Sequence, residues 1–437
     1  MAFFPLHESS LQPLLFANGR IIDPVNGVDR SGDLLVDNGR IVATGEKLQP
    51  EHPGLRRIGL AGKWIVPGLV DMHVHLREPG EEYKETVASG TKAAAAGGFT
   101  AVAAMPNTKP VNDNQAVTTL IHVKAAAGYA RVYPVGAISP GSSGDNLAEY
   151  GEMRRAGVVA LSDDGRPVSD SQLMRRALEY AGNHHLLVIS HAEELALSRH
   201  GAMNEGSLST RLGLIGIPRV AEEIMVYRDL ALARYTGRPI HIAHVSTREA
   251  VSLIRRAKEM GCRVTAETAP HYFTLTEEAV GRYDARAKMN PPLRTADDVA
   301  AIKEGLRDGT LDAIATDHAP HSELEKDVEF DLAANGIIGL ETALPLALAL
   351  VREGVITPSR LVELLAVNPA RILGVAGGSL AVDGAADLTV IDPERQFVYT
   401  LDQIVSKSKN SPFLDWEMTG KAVLTVVGGR ITYDGLQ

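Results

Sequence analysis

Cysteine is nearly absent from this chain. Cys262 is the only one among 437 residues, which excludes an internal disulfide and a metal cluster held by thiolates and makes a reducing cytoplasm the simplest expected home. Aromatic residues are scarce at 5%, while Gly and Ala are abundant, a composition that suits close packing of helices on a sheet. An excess of basic charge is missing too. The 44 Lys and Arg stand against 54 Asp and Glu, a formal charge of −10, so nucleic acid is not an expected partner, although a small anion in a local basic pocket is compatible with that balance. Nor is there a long apolar run: Ala343 to Val351 is too short to span a bilayer, and Pro5, His7 and Glu8 interrupt the apolar core that a signal peptide needs.

What is present is organised around Asp71 to Gly80, DMHVHLREPG. It follows the apolar run Trp64 to Val70 and ends in Pro79-Gly80, so it reads as a strand that stops in a loop. Side chains two apart on a strand face the same way, which places His73 and His75 together as half of a metal site. Downstream, strand-like runs alternate with amphipathic ones: Phe99 to Met105, Arg131 to Ile138, Val158 to Ser162, Leu186 to Ser190, Pro239 to Val245, Arg263 to Thr268 and Asp312 to Thr316. Helices are expected between them, among others over 85–96, 171–181, 248–260 and 297–307. Eight βα units favour an α/β fold, a closed (β/α)8 TIM-like barrel, with a doubly wound open sheet as the alternative.

Both ends of the chain read differently. Short apolar runs broken by Asn18-Gly19, Asn26-Gly27 and Asn38-Gly39 predict hairpins near the N-terminus, and Leu388 to Ile391, Ala422 to Val427 and Arg430 to Tyr433, with Gly428-Gly429 between the last two, predict the same near the C-terminus. The expected arrangement is one small β-rich domain made of residues 1–64 and 376–437, around a barrel of residues 65–375.

Chemistry in such a barrel sits at the C-terminal ends of the strands. Strand one ends in His73 and His75, strand four in Asp163-Asp164, strand five in His191, strand six in His244 and strand eight in Asp317-His318. Nitrogen and oxygen donors without sulfur suit Zn first, then Mn, Co or Ni. So many donors exceed the needs of one tetrahedral ion with an open position. Two ions sharing a carboxylate, with a hydroxide between them, fit better and point to metal-assisted hydrolysis. Only one of Asp163 and Asp164 can face inward.

DMHVHLREPG, MPNT (105–108), SDDG (162–165), SHAEE (190–194), HVST (244–247), MNPPLR (289–294) and ATDHAPH (315–321) together resemble the class I dihydroorotases of the amidohydrolase superfamily. The resemblance implies reversible ring closure of N-carbamoyl-L-aspartate to L-dihydroorotate in pyrimidine synthesis. It implies His73, His75, Asp164, His191, His244 and Asp317 as the metal residues, with Asp164 bridging two Zn ions. Asp317 is also expected to move the proton from the attacking water to the leaving nitrogen.

Arg77, just beyond the histidines, suits bidentate capture of the substrate carboxylate. The family likeness adds Asn107 and His321 to that grip, Asn290 to the ring, His75 to the substrate-binding residues, and backbone contact at Asn335-Gly336. Many relatives carry an aromatic residue at the place of Asn335. The charged loop 321–336 is a candidate lid. His122, His184, His185, His200, His241 and His271 are read as structural or surface residues.

Two rival classes remain at this level. Hydantoinases and allantoinases also open cyclic amides, but usually bridge their metals with a carboxylated lysine on strand four, and no lysine occurs between Lys124 and Lys258. A silent homologue serving as partner of aspartate transcarbamoylase is expected to have lost ligands, whereas every expected position is filled. A homodimer, or association of an active enzyme with that transcarbamoylase, is compatible with the sequence.

Overall fold

Eight short strands follow one another in the chain and pair side by side in that same order. The computed structural model describes residues 1–7 and 11–436; Glu8, used in the signal-peptide reading, lies outside the described residues. The strands are β1 (Leu69–Val74), β2 (Phe99–Ala104), β3 (Arg131–Gly136), β4 (Ala160–Leu161), β5 (Leu187–Ser190), β6 (Ile240–Ile242), β7 (Val264–Thr268) and β8 (Ala313–Ile314). Every pairing is parallel, so each connection must cross over, which is what the intervening helices do. The ring closes between first and last strands. Val74 pairs with His318, and the His75 N–H donates to the His318 C=O at 2.8 Å. This is a (β/α)8 barrel.

The helices start where short polar side chains can cap them. Thr86 accepts from the Ser89 N–H before Val87–Gly97, and Asp170 accepts from the Leu173 N–H before Ser171–Asn183. In Arg248–Glu259 the buried residues Ala250, Val251, Ile254 and Ala257 fall on one face, so the helix packs by that stripe and leaves its charges outside. The barrel interior is largely alanine: Ala101, Ala103, Ala160, Ala243 and Ala313 cluster with Val70 and Met72. It is a filled core and not a pore.

A second sheet has nine strands drawn from residues 2–67 and 388–434. Asn38-Gly39 and Gly428-Gly429, all at positive φ, make the tight two-residue turns expected of such pairs. Two expectations need correction. Asn18-Gly19 is no turn: the strand Leu14–Asp23 runs through it as a bulge, with its ladder shifted between Phe16 and Gly19 and the Asn18 N–H held by Asp33 Oδ1 at 2.8 Å. The apolar run Trp64 to Val70 is also two strands. Trp64–Pro67 pairs with Leu388 to Ile391 in the small sheet, and the chain enters β1 only after Gly68, where a Cβ would meet Thr100 Oγ1 at 2.2 Å.

After the strand Leu388–Val398 the chain crosses the barrel loops before returning as Glu417–Val427. Within this crossing Ser408 Oγ donates to the Lys84 C=O at 2.7 Å, and Ser406 Oγ hydrogen-bonds the Glu85 carboxylate. Among the described residues no helix is long and apolar enough to cross a membrane.

Candidate metal centre

Four imidazoles surround one carboxylate at the C-terminal rim. From Asp164 Oδ1, His73 Nε2 lies 3.4 Å away, His191 Nδ1 3.4 Å and His244 Nε2 3.3 Å, while His75 Nε2 is 3.4 Å from Oδ2. Asp317 Oδ1 stands 3.1 Å from His75 Nε2 and 3.6 Å from His73 Nε2. All six residues are buried. They include two candidate triads, His73-Asp164-His244 and His73-His75-Asp317, with donor atoms within 4.8 Å of one another. The six residues picked from five strand ends therefore converge.

The strand geometry is less regular than simple alternation. The pairing of β1 with β2 shifts between Asp71 and Val74, so Val70 and Met72 reach the inner cluster while His73 and His75 still face the rim. Arg77, His244 and Asp317 all adopt positive φ, of 62°, 33° and 48°. Non-glycine residues take this conformation at a cost, one that functional sites often carry.

Each of three imidazoles has its outer nitrogen occupied. His73 Nδ1 lies 2.7 Å from Glu267 Oε1, His75 Nδ1 2.8 Å from Asn107 Oδ1, and His191 Nε2 3.0 Å from Glu193 Oε2. If these outer nitrogens carry the protons, the inner lone pairs point at the site. His73 Nε2 is buried with no hydrogen-bond partner among the described residues. Charge tells the same story. Burial alone would raise Asp164, yet His73, His191 and His244 hold it well below the usual carboxylate range. Burial would lower His191, but Asp164 and Glu193 push it up to about 10. A divalent ion fits this donor set of nitrogens around carboxylates.

Asp163 and Asp164 part company here. Asp163 turns away to accept from the Ile138 N–H at 2.8 Å and the Ser139 N–H at 3.2 Å, leaving Asp164 at the centre. His318 also turns away. Its Nδ1 accepts from the Gly339 N–H at 3.1 Å, and its Nε2 faces Glu85 at 3.5 Å.

Beside the imidazoles, buried Arg77 donates from Nε to the Pro320 C=O at 3.1 Å and brings Nη2 to 3.3 Å from His321 Nε2. His321 Nε2 bonds the Asn335 C=O at 2.8 Å. Asn290 Nδ2 donates to Glu193 Oε2 at 3.0 Å, so one carboxylate joins Asn290 to His191. Gly336 lies close to His321, but its N–H bonds the Lys288 C=O at 3.0 Å and its C=O accepts from Lys326 and Asn410. Both backbone groups of Gly336 are thus engaged within the protein. A cavity of about 210 Å³ lined by Asn107, Lys109, Gly165 and Arg166 reaches Asp164.

Sequence reasoning passed over Glu193 and Glu267. Glu193 lies only two residues from His191, and Glu267 is a buried charge in an otherwise uncharged strand, β7. Either was a signal. His241, read as structural, backs Glu267: its Nε2 is 3.3 Å from Glu267 Oε2. His271 is buried, and burial lowers it to about 4.

Residues 62–250 match the family model described as dihydro-orotase-like. A dihydroorotase of Geobacter metallireducens is 58% identical over 96% of this chain and 99% of that protein, and one of Pelobacter propionicus is 59% identical over the same shares. The chain belongs to the dihydroorotase family. Among solved structures, L-hydantoinase from Arthrobacter aurescens is 25% identical, with a TM-score of 0.87 over 98% of this chain and 97% of that one. This dihydroorotase-family member thus shares its whole architecture, small sheet included, with a hydantoinase. What separates the two readings is the site.

Proposed function

We propose that the chain hydrolyses the cyclic amide of L-dihydroorotate to N-carbamoyl-L-aspartate, reversibly, as a step of pyrimidine synthesis. The observation that carries this reading is Arg77 with His321 standing beside a carboxylate ringed by four imidazoles. His73, His75, Asp164, His191, His244 and Asp317 would hold two Zn ions, with Asp164 bridging. When bound, such a pair supplies Lewis acidity and a hydroxide nucleophile near neutral pH.

The protein groups divide the remaining work. Although burial opposes it, His75 and His73 hold Asp317 below the ordinary carboxylate range. Asp317 therefore starts ionised, able to take the proton of the attacking water and pass it to the leaving ring nitrogen. Arg77 grips the substrate carboxylate. Asn107, whose Oδ1 accepts from His75 Nδ1, would offer its amide N–H groups to the same carboxylate. Asn290 is held toward the ring by Glu193.

A hydantoinase-type activity is the second reading, favoured by the full-length match to L-hydantoinase. Asp164 stands against it, because relatives of that type usually place a carboxylated lysine there. Metal content and turnover of dihydroorotate and hydantoin, measured on one purified sample, decide between them. Hydrolysis of hydantoin without hydrolysis of dihydroorotate would overturn the proposal.

A further inference from the structure

Asn410 belongs to neither limb of the loop that it holds. It lies in the segment crossing from the small sheet, is only 5% exposed, and gives its entire amide to the loop after β8. Its Oδ1 accepts from the His321 N–H at 3.1 Å, and its Nδ2 donates to the C=O groups of Ala319 at 3.0 Å and Gly336 at 3.1 Å. Its own C=O accepts from the Ile338 N–H at 3.0 Å. One residue therefore ties the outgoing limb (319–321) to the returning limb (336–338). The limbs are in contact. A Cβ on Gly336 would come within 2.6 Å of the Ala319 Cβ, so the position admits little but glycine.

The tie bears on recognition. His321 Nε2 faces Arg77 Nη2 at 3.3 Å, and Arg77 Nε is anchored on the C=O of Pro320, between Ala319 and His321. Both groups that face the expected carboxylate thus rest on backbone that Asn410 fixes from either side. We propose that Asn410 is a positioning residue for substrate: without touching the ligand, it sets His321 and Arg77 in the orientation that grips the carboxylate of a small cyclic amide. This rests on the proposed function above. An amide is required, since the place calls for two donors and one acceptor. A carboxylate of the same shape would set oxygen against the carbonyls of Ala319 and Gly336, and a methyl group would leave the buried His321 N–H and Ala319 C=O without the partner that Asn410 gives them, the Gly336 C=O keeping only Lys326.

The test uses the full-length, metal-loaded protein and Asn410→Asp, Asn410→Ala, His321→Ala and the Asn410→Ala/His321→Ala double variant. In both Asn410 variants KM for dihydroorotate should rise roughly tenfold or more, as expected for loss of buried hydrogen bonds. The kcat should change far less, and metal per chain should be unaltered. Because Asn410 acts through His321, the double variant should lose less than the product of the two single losses. Should Asn410→Ala fail to fold, the nearly isosteric Asn410→Asp decides alone. A lowered melting temperature with wild-type KM, or fully multiplicative losses, overturns the clamp and leaves the proposed activity standing. Absence of dihydroorotate turnover in the wild type overturns the activity and the clamp together.

Discussion

Glu267 Oε1, on β7, lies 2.7 Å from His73 Nδ1, on β1. The other oxygen of the same carboxylate is 3.3 Å from His241 Nε2, and His241 Nδ1 is in turn 2.8 Å from Thr265 Oγ1. His73 is therefore oriented by a chain of polar groups in which Glu267 and His241 are buried and Thr265 is half-buried. Although burial opposes it, His241 and His73 hold Glu267 down to about 2, so an anion faces the outer nitrogen of His73. Glu267→Gln keeps the shape and removes that charge. Metal affinity should fall about 10- to 100-fold, the usual cost of losing such an outer partner. A competitive chelator titration measures it, and an unchanged dissociation constant would exclude the role.

Residue spacing made the barrel legible because apolar strand-like runs separated by amphipathic helical ones leave few architectures open. The observed strands fall within the predicted runs, each trimmed by a residue or more, except that β1 starts after Gly68. What spacing could not show is facing. Glu267 meets His73 only because barrel closure leaves β8 alone between β7 and β1, although the two residues are 194 positions apart in sequence. Asn410 lies in an irregular segment with no periodicity to read, and only its hydrogen bonds reveal what it holds. Asn18-Gly19 misled for a related reason. Left-handed residues serve a bulge as well as a turn, and the partner strand decides which.

Arg77 offers a prediction about recognition. Lysine keeps the charge but cannot reach the Pro320 C=O with one nitrogen while presenting others to a carboxylate. Arg77→Lys should raise KM for dihydroorotate roughly tenfold or more, with metal content unchanged. Steady-state kinetics beside metal analysis would reveal it. Wild-type KM would remove Arg77 from the carboxylate grip.

Glu341 makes a prediction about pH. Its carboxylate accepts from the N–H groups of Val405 and Ser406 at 3.0 Å, yet burial outweighs these bonds and raises it from 4.5 to about 7. The folded protein then keeps a proton that the unfolded chain releases between pH 4.5 and 7, so stability falls as pH rises through that window. The displacement corresponds to at most roughly 3 kcal/mol, a ceiling because part of Glu341 still reaches solvent. Glu341→Gln should flatten this slope. Urea unfolding of both proteins at pH 5 and pH 8 tests it, and parallel profiles would refute it.

Asp163 and Asp164 provide the sharpest contrast, being chemically identical neighbours with opposite surroundings. Asp163 satisfies the N–H groups of Ile138 and Ser139 and the Ser139 hydroxyl, so Asp163→Ala should cost about 1–3 kcal/mol of stability through unpaired donors and leave metal binding largely intact. Asp164 stands within 3.4 Å of four imidazoles. Asp164→Ala should abolish metal binding at one or both positions, and turnover with it. As a permanent carboxylate, Asp164 needs no carbon dioxide, unlike a carboxylated lysine. Stripped wild-type protein should therefore regain activity when Zn is added in carbonate-free buffer, and Asp164→Ala should not. A bicarbonate requirement in the wild type, or full metal content in Asp164→Ala, would mean that the bridge is made by another group.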